Sequence, residues 1–305
     1  MIDLPQRCFI GRVNPRWFAR VRPLYLNYTG SETLTDYQVR CTLTPSDIPF
    51  EKLREDKSDL LFVDSYDEVI PYWIEKSNSS ELVVWLKFPH IKTGREIFWL
   101  YYGNGDFTGI SNGNEVFLFF DDFEGTSLST NKWEVPSGTA YQVANGLLKI
   151  TNTDVRIQSK TTFSEGVALE LKVKPVTLPP NGFEAGGFYL SSSNAILYHR
   201  DPNRDYVRND DSWNSLGEEL LALGVWHKLI FTAFFDGTTH TVNIKAIRLD
   251  TGEIVYQGDW TNTVSDEKIT LSRRPDEKYT DQSYEAYWDW IGVRKYTAPE
   301  PFISK

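Results

Sequence analysis

The stretch Val116–Trp133, VFLFFDDFEGTSLSTNKW, decides how the chain is divided. It opens with five apolar residues, becomes acidic at Asp121, Asp122 and Glu124, and passes through a Gly/Ser/Thr turn to Trp133. Carboxylates beside an aromatic strand end are costly to bury unless backbone N–H groups or a cation satisfy them. We therefore interpret the stretch as the first strand of a second domain and as half of a metal-binding seam.

The composition favours an all-β protein with two domains. The 305 residues are 40% hydrophobic, 24% charged and 14% aromatic, with a single Met, and this bias suits pleated, half-buried surfaces. A chain of this length can bury two separate cores. Short apolar runs punctuated by Asp, Gly, Asn and Ser recur throughout, which is typical of β-sandwiches. We predict two tandem sandwiches, over residues 1–112 and 113–305, joined by the linker Gly103–Glu115.

Alternating segments indicate individual strands. Val21–Tyr28 and Tyr37–Leu43 flank a turn-rich segment, as neighbouring antiparallel strands do. Val167–Val173 alternates apolar with charged residues, which indicates a strand with one wet face. Ser212–Leu223 is the candidate for a short helix. The many strands and Gly/Asp turns of the second half predict a jelly roll of the concanavalin type.

Charge and hydropathy restrict the partners. A net charge of −10 argues against nonspecific nucleic-acid binding, which needs a basic face. No apolar run approaches the roughly 20 residues of a membrane span, so we expect no membrane insertion. The first residues also lack the apolar segment of a signal peptide. The two cysteines, Cys8 and Cys41, allow one disulfide or two free thiols.

Several motifs of the first half resemble a known family. They include Ser58-Asp59-Leu60-Leu61-Phe62, Pro71-Tyr72-Trp73-Ile74-Glu75 and Tyr101-Tyr102-Gly103-Asn104, in that order. With neighbouring motifs over roughly residues 14–110, they are similar to the family catalogued as domain of unknown function 2341. The resemblance implies a secreted or surface-exposed multidomain protein, often with a concanavalin-like sandwich following, and implies no established activity.

Three landmarks of the second half resemble a second family. Phe120–Gly125 with Trp133, Asn145–Ile150 and Asp289–Val293 are similar to the opening, second and last strands of concanavalin A-like lectins and glucanases. That group includes laminarinase-like hydrolases and laminin G-type jelly rolls. The resemblance implies the same fold for residues 113–305.

The second resemblance also implies a structural calcium ion. Its ligands would be Asp122, the carbonyl of Gly146 and the side chain of Asp289. Calcium accepts carboxylate and carbonyl oxygens together, so these groups suit it chemically. The alternative is that Asp289 only caps backbone groups.

Catalytic patterns are missing from the sequence. Hydrolases of the second family carry paired carboxylates in an E-x-D-x-x-E pattern, and the central strands offer only Glu170 and Glu184, singly. The four histidines share no metal-ligand spacing, and no G-x-S-x-G motif occurs. We therefore expect no catalytic residue and predict that the chain is not an enzyme.

The segment Ile196–Trp213, ILYHRDPNRDYVRNDDSW, is too polar for a core. Its aromatic rings could stack on pyranose rings, and its guanidinium groups could bond hydroxyls. The candidate ligand-binding residues are Tyr198, Arg200, Arg204, Tyr206, Arg208 and Trp213. The alternative is a surface hairpin held by Arg–Asp pairs of little individual energy.

These observations predict a noncatalytic, surface-exposed recognition or adhesion protein that binds a polysaccharide or surface glycan through its second sandwich. The alternative is a structural virion, tail-fibre or surface-layer component that contacts other copies or other structural proteins. We expect an extracellular or cell-surface location. The virion is the alternative location because no signal peptide is visible.

Overall fold

The chain divides into two compact units in a computed structural model. The first unit combines Met1–Phe117 with Ala298–Lys305, and the second is Leu118–Thr297. The division therefore lies after Phe117 rather than after residue 112, and the last residues belong to the first unit. Both units are built from antiparallel sheets, which confirms the predicted all-β class. The structure describes residues 15–191, 194–210, 212–272 and 282–305.

The first unit is a sandwich of two sheets. Its strands are β1 (Arg20–Tyr28), β2 (Leu34–Leu43), β3 (Leu60–Val63), β4 (Tyr72–Ser77), β5 (Leu82–Ile91), β6 (Gly94–Tyr102) and, from the end of the chain, β22 (Phe302–Ser304). The sheet orders are β22-β1-β6-β3 and β2-β5-β4. Short helices lie at Pro15–Trp17, Phe50–Lys52 and Gly113–Val116 (α1). Within the described ranges, no helix is long and apolar enough to cross a membrane.

The strands β1 and β2 were predicted to be neighbours, and this was wrong. β1 pairs with β6 and β2 pairs with β5, so the turn between them crosses from one sheet to the other. The physical reason is the core: Leu24 and Leu26 of β1 and Val39 of β2 pack into the same interior. Pro23 pairs with Trp99 of β6 but lies outside the part of β1 that pairs with β22, and such an edge-like position suits a residue without an N–H.

Cys41 is a free thiol on β2. Burial raises its pKa to about 12, which makes it unreactive at neutral pH. Cys8 lies outside the described residues.

The second unit is a larger sandwich. Its strands are β7 (Phe119–Asp121), β8 (Trp133–Ser137), β9 (Tyr141–Ala144), β10 (Leu147–Asn152), β11 (Arg156–Phe163), β12 (Val167–Thr177), β13 (Phe183–Ser191), β14 (Asn194–Arg200), β15 (Asp205–Asn209), β16 (Ser212–Gly217), β17 (His227–Phe235), β18 (His240–Arg248), β19 (Ile254–Thr261), β20 (Glu267–Leu271) and β21 (Ser283–Lys295). The eight-stranded sheet runs β19-β18-β17-β12-β21-β10-β9, with β7 beside β21, and the seven-stranded sheet runs β16-β15-β14-β13-β20-β11-β8.

One continuous core joins the two sheets of the second unit. Trp288 of β21 is fully buried, and its indole N–H donates to the carbonyl of Ala185 in β13 at 2.9 Å. Phe183 stacks on Tyr284 with ring centroids 4.9 Å apart. These contacts fix the seven-stranded sheet against the eight-stranded sheet and so position the residues on its opposite face.

The stretch that opens the second unit satisfies its buried carboxylate with protein donors. β7 pairs with β21, and the Asp121 carboxylate at its end accepts the backbone N–H of Phe123 at 2.9 Å. The indole N–H of Trp133 donates to the same carboxylate at 2.6 Å. Because two donors serve Asp121, this group does not require a cation.

Candidate functional site

The predicted recognition segment forms consecutive strands of the seven-stranded sheet. β14 and β15 meet at a tight turn in which Asp201 and Arg204 exchange backbone hydrogen bonds at 2.9 and 3.3 Å. The short helix considered for Ser212–Leu223 is not formed at its start, since β16 extends the sheet there and pairs with β15. Alternate residues of a strand point to opposite faces, so the hairpin has two faces of different composition.

Two of the predicted ligand contacts lie on the core face. Tyr198 is part of the hydrophobic core and has no exposed surface. The Arg200 side chain is buried too, and its Nε–H donates to the carbonyl of Leu221 at 3.0 Å. Neither side chain is available to a ligand at the surface. The prediction is corrected for both, because the period of two places Tyr198 and Arg200 on the same, inward side.

Asp205 provides the charge that balances Arg200 inside the protein. Its Oδ2 lies 3.7 Å from Arg200 Nε and accepts the backbone N–H of Leu220 at 2.7 Å. Burial raises the pKa of Asp205 to about 6, against the opposing effect of Arg200. The Arg–Asp pair of the alternative interpretation therefore exists, but it is a buried structural pair that ties the segment after β16 to the hairpin.

The other face of the same strands carries the remaining candidates. We call the side of the seven-stranded sheet that points away from the core its outer face. Cross-strand pairing gives it two adjacent rows. The first row is Gly187, Leu197, Arg208 and Trp213, and the second is Glu184, His199, Tyr206 and Ser215.

Aromatic and cationic groups on the outer face hold one another in place. Trp213 is 43% exposed, and its ring meets the ring of His199 edge-on at 4.8 Å. The guanidinium of Arg208 lies 5.8 Å from the Trp213 ring centroid and 6.0 Å from that of Tyr189. Tyr206 lies 6.3 Å from Trp213. The structure thus brings together three predicted residues, Tyr206, Arg208 and Trp213.

Sequence reasoning missed Glu184 and His199 as members of this site. Glu184 is buried on the outer face, with Oε1 3.9 Å from Arg208 Nη1, and it lies opposite His199 in the ladder. His199 could have been found from the period of two along β14, whereas Glu184 could not, because a register shift between Glu184 and Gly186 breaks that period on β13. Arg204 lies instead at the turn, exposed, with its guanidinium 3.9 Å from Glu218.

The predicted calcium seam, made of Asp122, Gly146 and Asp289, is partly assembled. Asn145 and Gly146 both have positive φ, of 55° and 69°, and form the two-residue turn between β9 and β10. A Cβ on Gly146 would lie 2.8 Å from Glu124 Oε1 and 3.9 Å from the Asp122 carbonyl oxygen. The turn therefore sits against the Asp122 backbone and the Glu124 carboxylate.

Asp289 has a partner other than a metal. Its Oδ2 lies 2.5 Å from Lys172 Nζ, across the pairing of β21 with β12. Among the described residues, no group of three or more His, Cys, Asp or Glu side chains is arranged to hold a metal ion. Calcium at the seam stays a prediction.

Comparison with known proteins gives one family and a set of solved structures. Residues 56–136 match the family described as domain of unknown function (DUF2341), a shorter range than the whole first unit and one that extends into the second. Comparison with curated protein sequences gives no significant match.

The solved structures that match the chain do so at low identity. One is described as an endo-acting O-glycanase by which members of the human gut microbiota initiate mucin breakdown (14% identity, TM-score 0.44, 59% of this chain and all of the other). A laminarinase from Flavobacterium sp. UMI-01 gives 14%, 0.42, 59% and 100%. A Bacillus licheniformis β-glucanase gives 12%, 0.42, 58% and 97%. Likeness at this level does not transfer an activity.

These matches correct one prediction. We expected the chain not to be an enzyme because the E-x-D-x-x-E pattern is missing, and that exclusion was wrong. The matching solved structures include glycoside hydrolases, so one missing pattern does not remove the chain from the enzymes.

Proposed function

We propose that the second unit binds a polysaccharide on the outer face of its seven-stranded sheet, at Tyr206 and Trp213, with the buried Arg208 positioning the indole. The observation that carries the proposal is the half-exposed Trp213 ring, braced by His199 at 4.8 Å and by the Arg208 guanidinium at 5.8 Å. An indole held in this way offers a flat apolar surface with little ordering left to do when a sugar stacks on it.

Polar groups around the ring supply the rest of a sugar-binding surface. Tyr206, half-buried beside the indole, supplies a hydroxyl, whereas Arg208 and His199 are buried and hold the Trp213 ring in position. A small number of polar groups beside an apolar platform is the usual composition of ligand sites. The proposal rests on these residues, and the solved glucanases add only that the fold is a jelly roll.

The test is a polysaccharide panel with Trp213→Ala. We expect at least about a tenfold loss of affinity for any bound polysaccharide, because central aromatic residues dominate such contacts. Stability should change little, since the ring is half exposed. The matched control is Phe235→Ala, which removes another exposed aromatic side chain of the same unit and should leave binding unchanged. Equal affinity of wild type and Trp213→Ala would disprove the site.

Hydrolysis is measured on the same panel by release of reducing ends. Glycosidases of both stereochemical classes use two carboxyl groups, and Glu184 is the carboxylate that the described outer-face rows contain. Release that is lost in Glu184→Gln would give Glu184 a part in catalysis. Binding without release would leave the recognition role alone.

The same binding panel also tests the predicted location and the alternative that the protein is a structural component of an assembly. A polysaccharide partner fits the predicted extracellular or cell-surface location. A clean negative on the panel, together with an oligomer that persists at nanomolar concentration, would instead favour the structural virion or surface-layer component.

A further inference from the structure

A row of lysine and aromatic side chains crosses the middle of the eight-stranded sheet of the second unit. Strand pairing places Tyr287 of β21 directly between Lys149 of β10 and Lys174 of β12. Trp226 comes immediately before β17, the next strand in the sheet, and Lys172 lies two residues before Lys174 on β12. We call these five residues the lysine row.

The lysine row lies on the side of the sheet that points away from the core. The adjacent residues Leu148, Val173 and Trp288 occupy paired positions and are fully buried. Because successive residues of a strand point to opposite faces, the row is directed outwards. All five of its residues are partly exposed. The row is therefore accessible, on a different sheet from the one that carries Trp213.

Aromatic rings lie between the ammonium groups of the row. Lys172 and Lys174 each place Nζ 4.9 Å from the Trp226 ring centroid. Lys174 Nζ lies 5.1 Å from the Tyr287 ring centroid, and Lys149 Nζ lies 5.4 Å from the same centroid. An aromatic ring attracts ammonium groups at such distances. The two rings thus hold three positive charges together in one row.

The row gathers positive charge on a protein whose net charge is −10. Lys149 has a carboxylate partner in Glu285 at 2.7 Å, and Lys172 has one in Asp289 at 2.5 Å. Lys174, at the centre, forms no ion pair in the part of the chain that the structure describes, and it contacts the two rings. Ammonium groups that share one ring lie within a screening length of about 10 Å, so they repel one another. Three ammonium groups with two carboxylates leave a positive surplus that an anion would neutralise.

We propose that the lysine row binds an acidic polysaccharide through the sulfate or carboxylate groups along its chain. The ammonium group of Lys174 is the main contact. Each ammonium group has three N–H donors, so Lys149 and Lys172 keep donors for a ligand while they hold their carboxylates. The partly exposed rings of Trp226 and Tyr287 offer apolar surface to the C–H groups of the sugar rings.

The position of the row in the sheet argues against an acidic peptide as the ligand. An extended peptide commonly binds by adding a strand to an exposed sheet edge. β10, β21, β12 and β17 each have a partner strand on both sides. No backbone edge is therefore open at the row, and a ligand meets side chains alone. The inference does not depend on the site proposed at Trp213, which lies on the other sheet.

The experiment uses the full chain and three probes that share one backbone, namely neutral dextran, dextran sulfate and carboxymethyl-dextran. Isothermal titration at low salt measures binding. We expect at least one charged dextran to bind about tenfold or more tightly than neutral dextran, and its affinity to fall as sodium chloride is added. The tighter charged probe identifies the anionic group. Absence of a preference for charged dextran, or equally tight binding of poly-glutamate, would overturn the proposal.

Variants locate the binding in the row. Lys174→Gln should weaken binding of the charged dextran about fivefold, because a close ionic contact is lost. Lys174→Arg keeps the charge and should retain most of the affinity. The matched control is Lys160→Gln, which neutralises an exposed lysine of β11 in the seven-stranded sheet and should have little effect. Equal losses in Lys174→Gln and Lys160→Gln, or no loss in Lys174→Gln, would reject the lysine row as the site.

One further variant separates this proposal from the proposed function. Trp213→Ala should leave the preference for charged over neutral dextran unchanged, since Trp213 lies on the other sheet. Loss of that preference in Trp213→Ala would place the charged ligand at the outer face and overturn the assignment to the lysine row. A chain that binds no neutral polysaccharide but retains the preference would contradict the proposed function alone.

Discussion

The two faces of the seven-stranded sheet use the same kinds of residue for different ends. On the core face, Arg200 and Asp205 are buried against each other and hold the backbone at Leu220 and Leu221. On the outer face, Arg208 lies over the half-exposed Trp213. The contrast shows that a polar, aromatic segment is not uniformly a surface. The position of each arginine along its strand decides which face it supports: Arg200 anchors the core side, and the buried Arg208 supports the half-exposed indole of the outer face.

The largest expected effect comes from breaking the core face at Asp205. Asp205→Ala leaves the Arg200 charge buried without its partner, and we expect a loss of about 3–5 kcal/mol in the free energy of unfolding. Urea denaturation measures it. Arg204→Ala at the exposed turn is the matched control and should stay within about 0.5 kcal/mol of the wild type. Similar losses in both variants would contradict the division into two faces.

The next largest effect is expected from acid, which should destabilise the interior of the second unit at His227. His227 is buried with Nδ1 3.0 Å from the Val225 carbonyl, and burial, aided by Arg248 and Arg200, lowers its pKa from 6.5 to about 4. Its folded pKa lies below the unfolded value, so its contribution is complete above pH 6.5 and is lost as pH falls towards 4. We expect about 3 kcal/mol for this group. His227→Asn, compared by urea denaturation at pH 7 and pH 4.5, should lose that part of the pH dependence, and an unchanged dependence would reject the assignment.

Calcium at the predicted seam should have an intermediate effect. If Asp122, Gly146 and Asp289 hold an ion, saturating calcium stabilises the chain by about 2–3 kcal/mol. Asp289→Asn should remove that part of the stabilisation in a calcium-dependent melt. In the metal-free protein the variant loses only the partly exposed ion pair with Lys172, so we expect little change in stability there. A calcium response identical in wild type and Asp289→Asn would end the seam proposal.

The smallest effects come from single hydroxyls on the two faces. Tyr206→Phe on the outer face removes one group that can bond a sugar, and we expect affinity to fall about two- to tenfold with stability nearly unchanged. Tyr198→Phe on the core face removes a buried hydroxyl and should leave affinity as it was. Binding isotherms for the two variants measure the difference. Equal losses would mean that the faces are not distinct in binding.

Much of this fold can be predicted from local sequence patterns, whereas the site can be predicted only in part. The alternation of Val167–Val173 indicates β12 directly, and the Asp201–Arg204 turn contains enough information to set the register of the hairpin. That register separates Tyr198 from Tyr206 and would have excluded the former as a ligand contact. Glu184 could not be placed from its own strand, because its neighbour His199 is supplied by pairing between strands.

Contacts between residues far apart in the sequence could not be predicted, for the same physical reason. Asp121 and Asp122 are adjacent and chemically identical, and Asp121 is the one whose carboxylate accepts both the Phe123 backbone N–H and the distant Trp133 indole N–H. Likewise, β1 and β2 look like partners until both are seen to need the same core.

The strand β22 has a consequence for how the protein is made. Tyr25 and Asn27 of β1 pair with Ser304 and Phe302, residues that are synthesised after the whole second unit. The first unit can begin to fold early, but its four-stranded sheet is complete only after the whole second unit has been synthesised. Expression of residues 1–117 alone would leave the edge of β1 bare, and an exposed edge invites association with other chains. To isolate the first unit cleanly, residues 298–305 must be grafted back onto it.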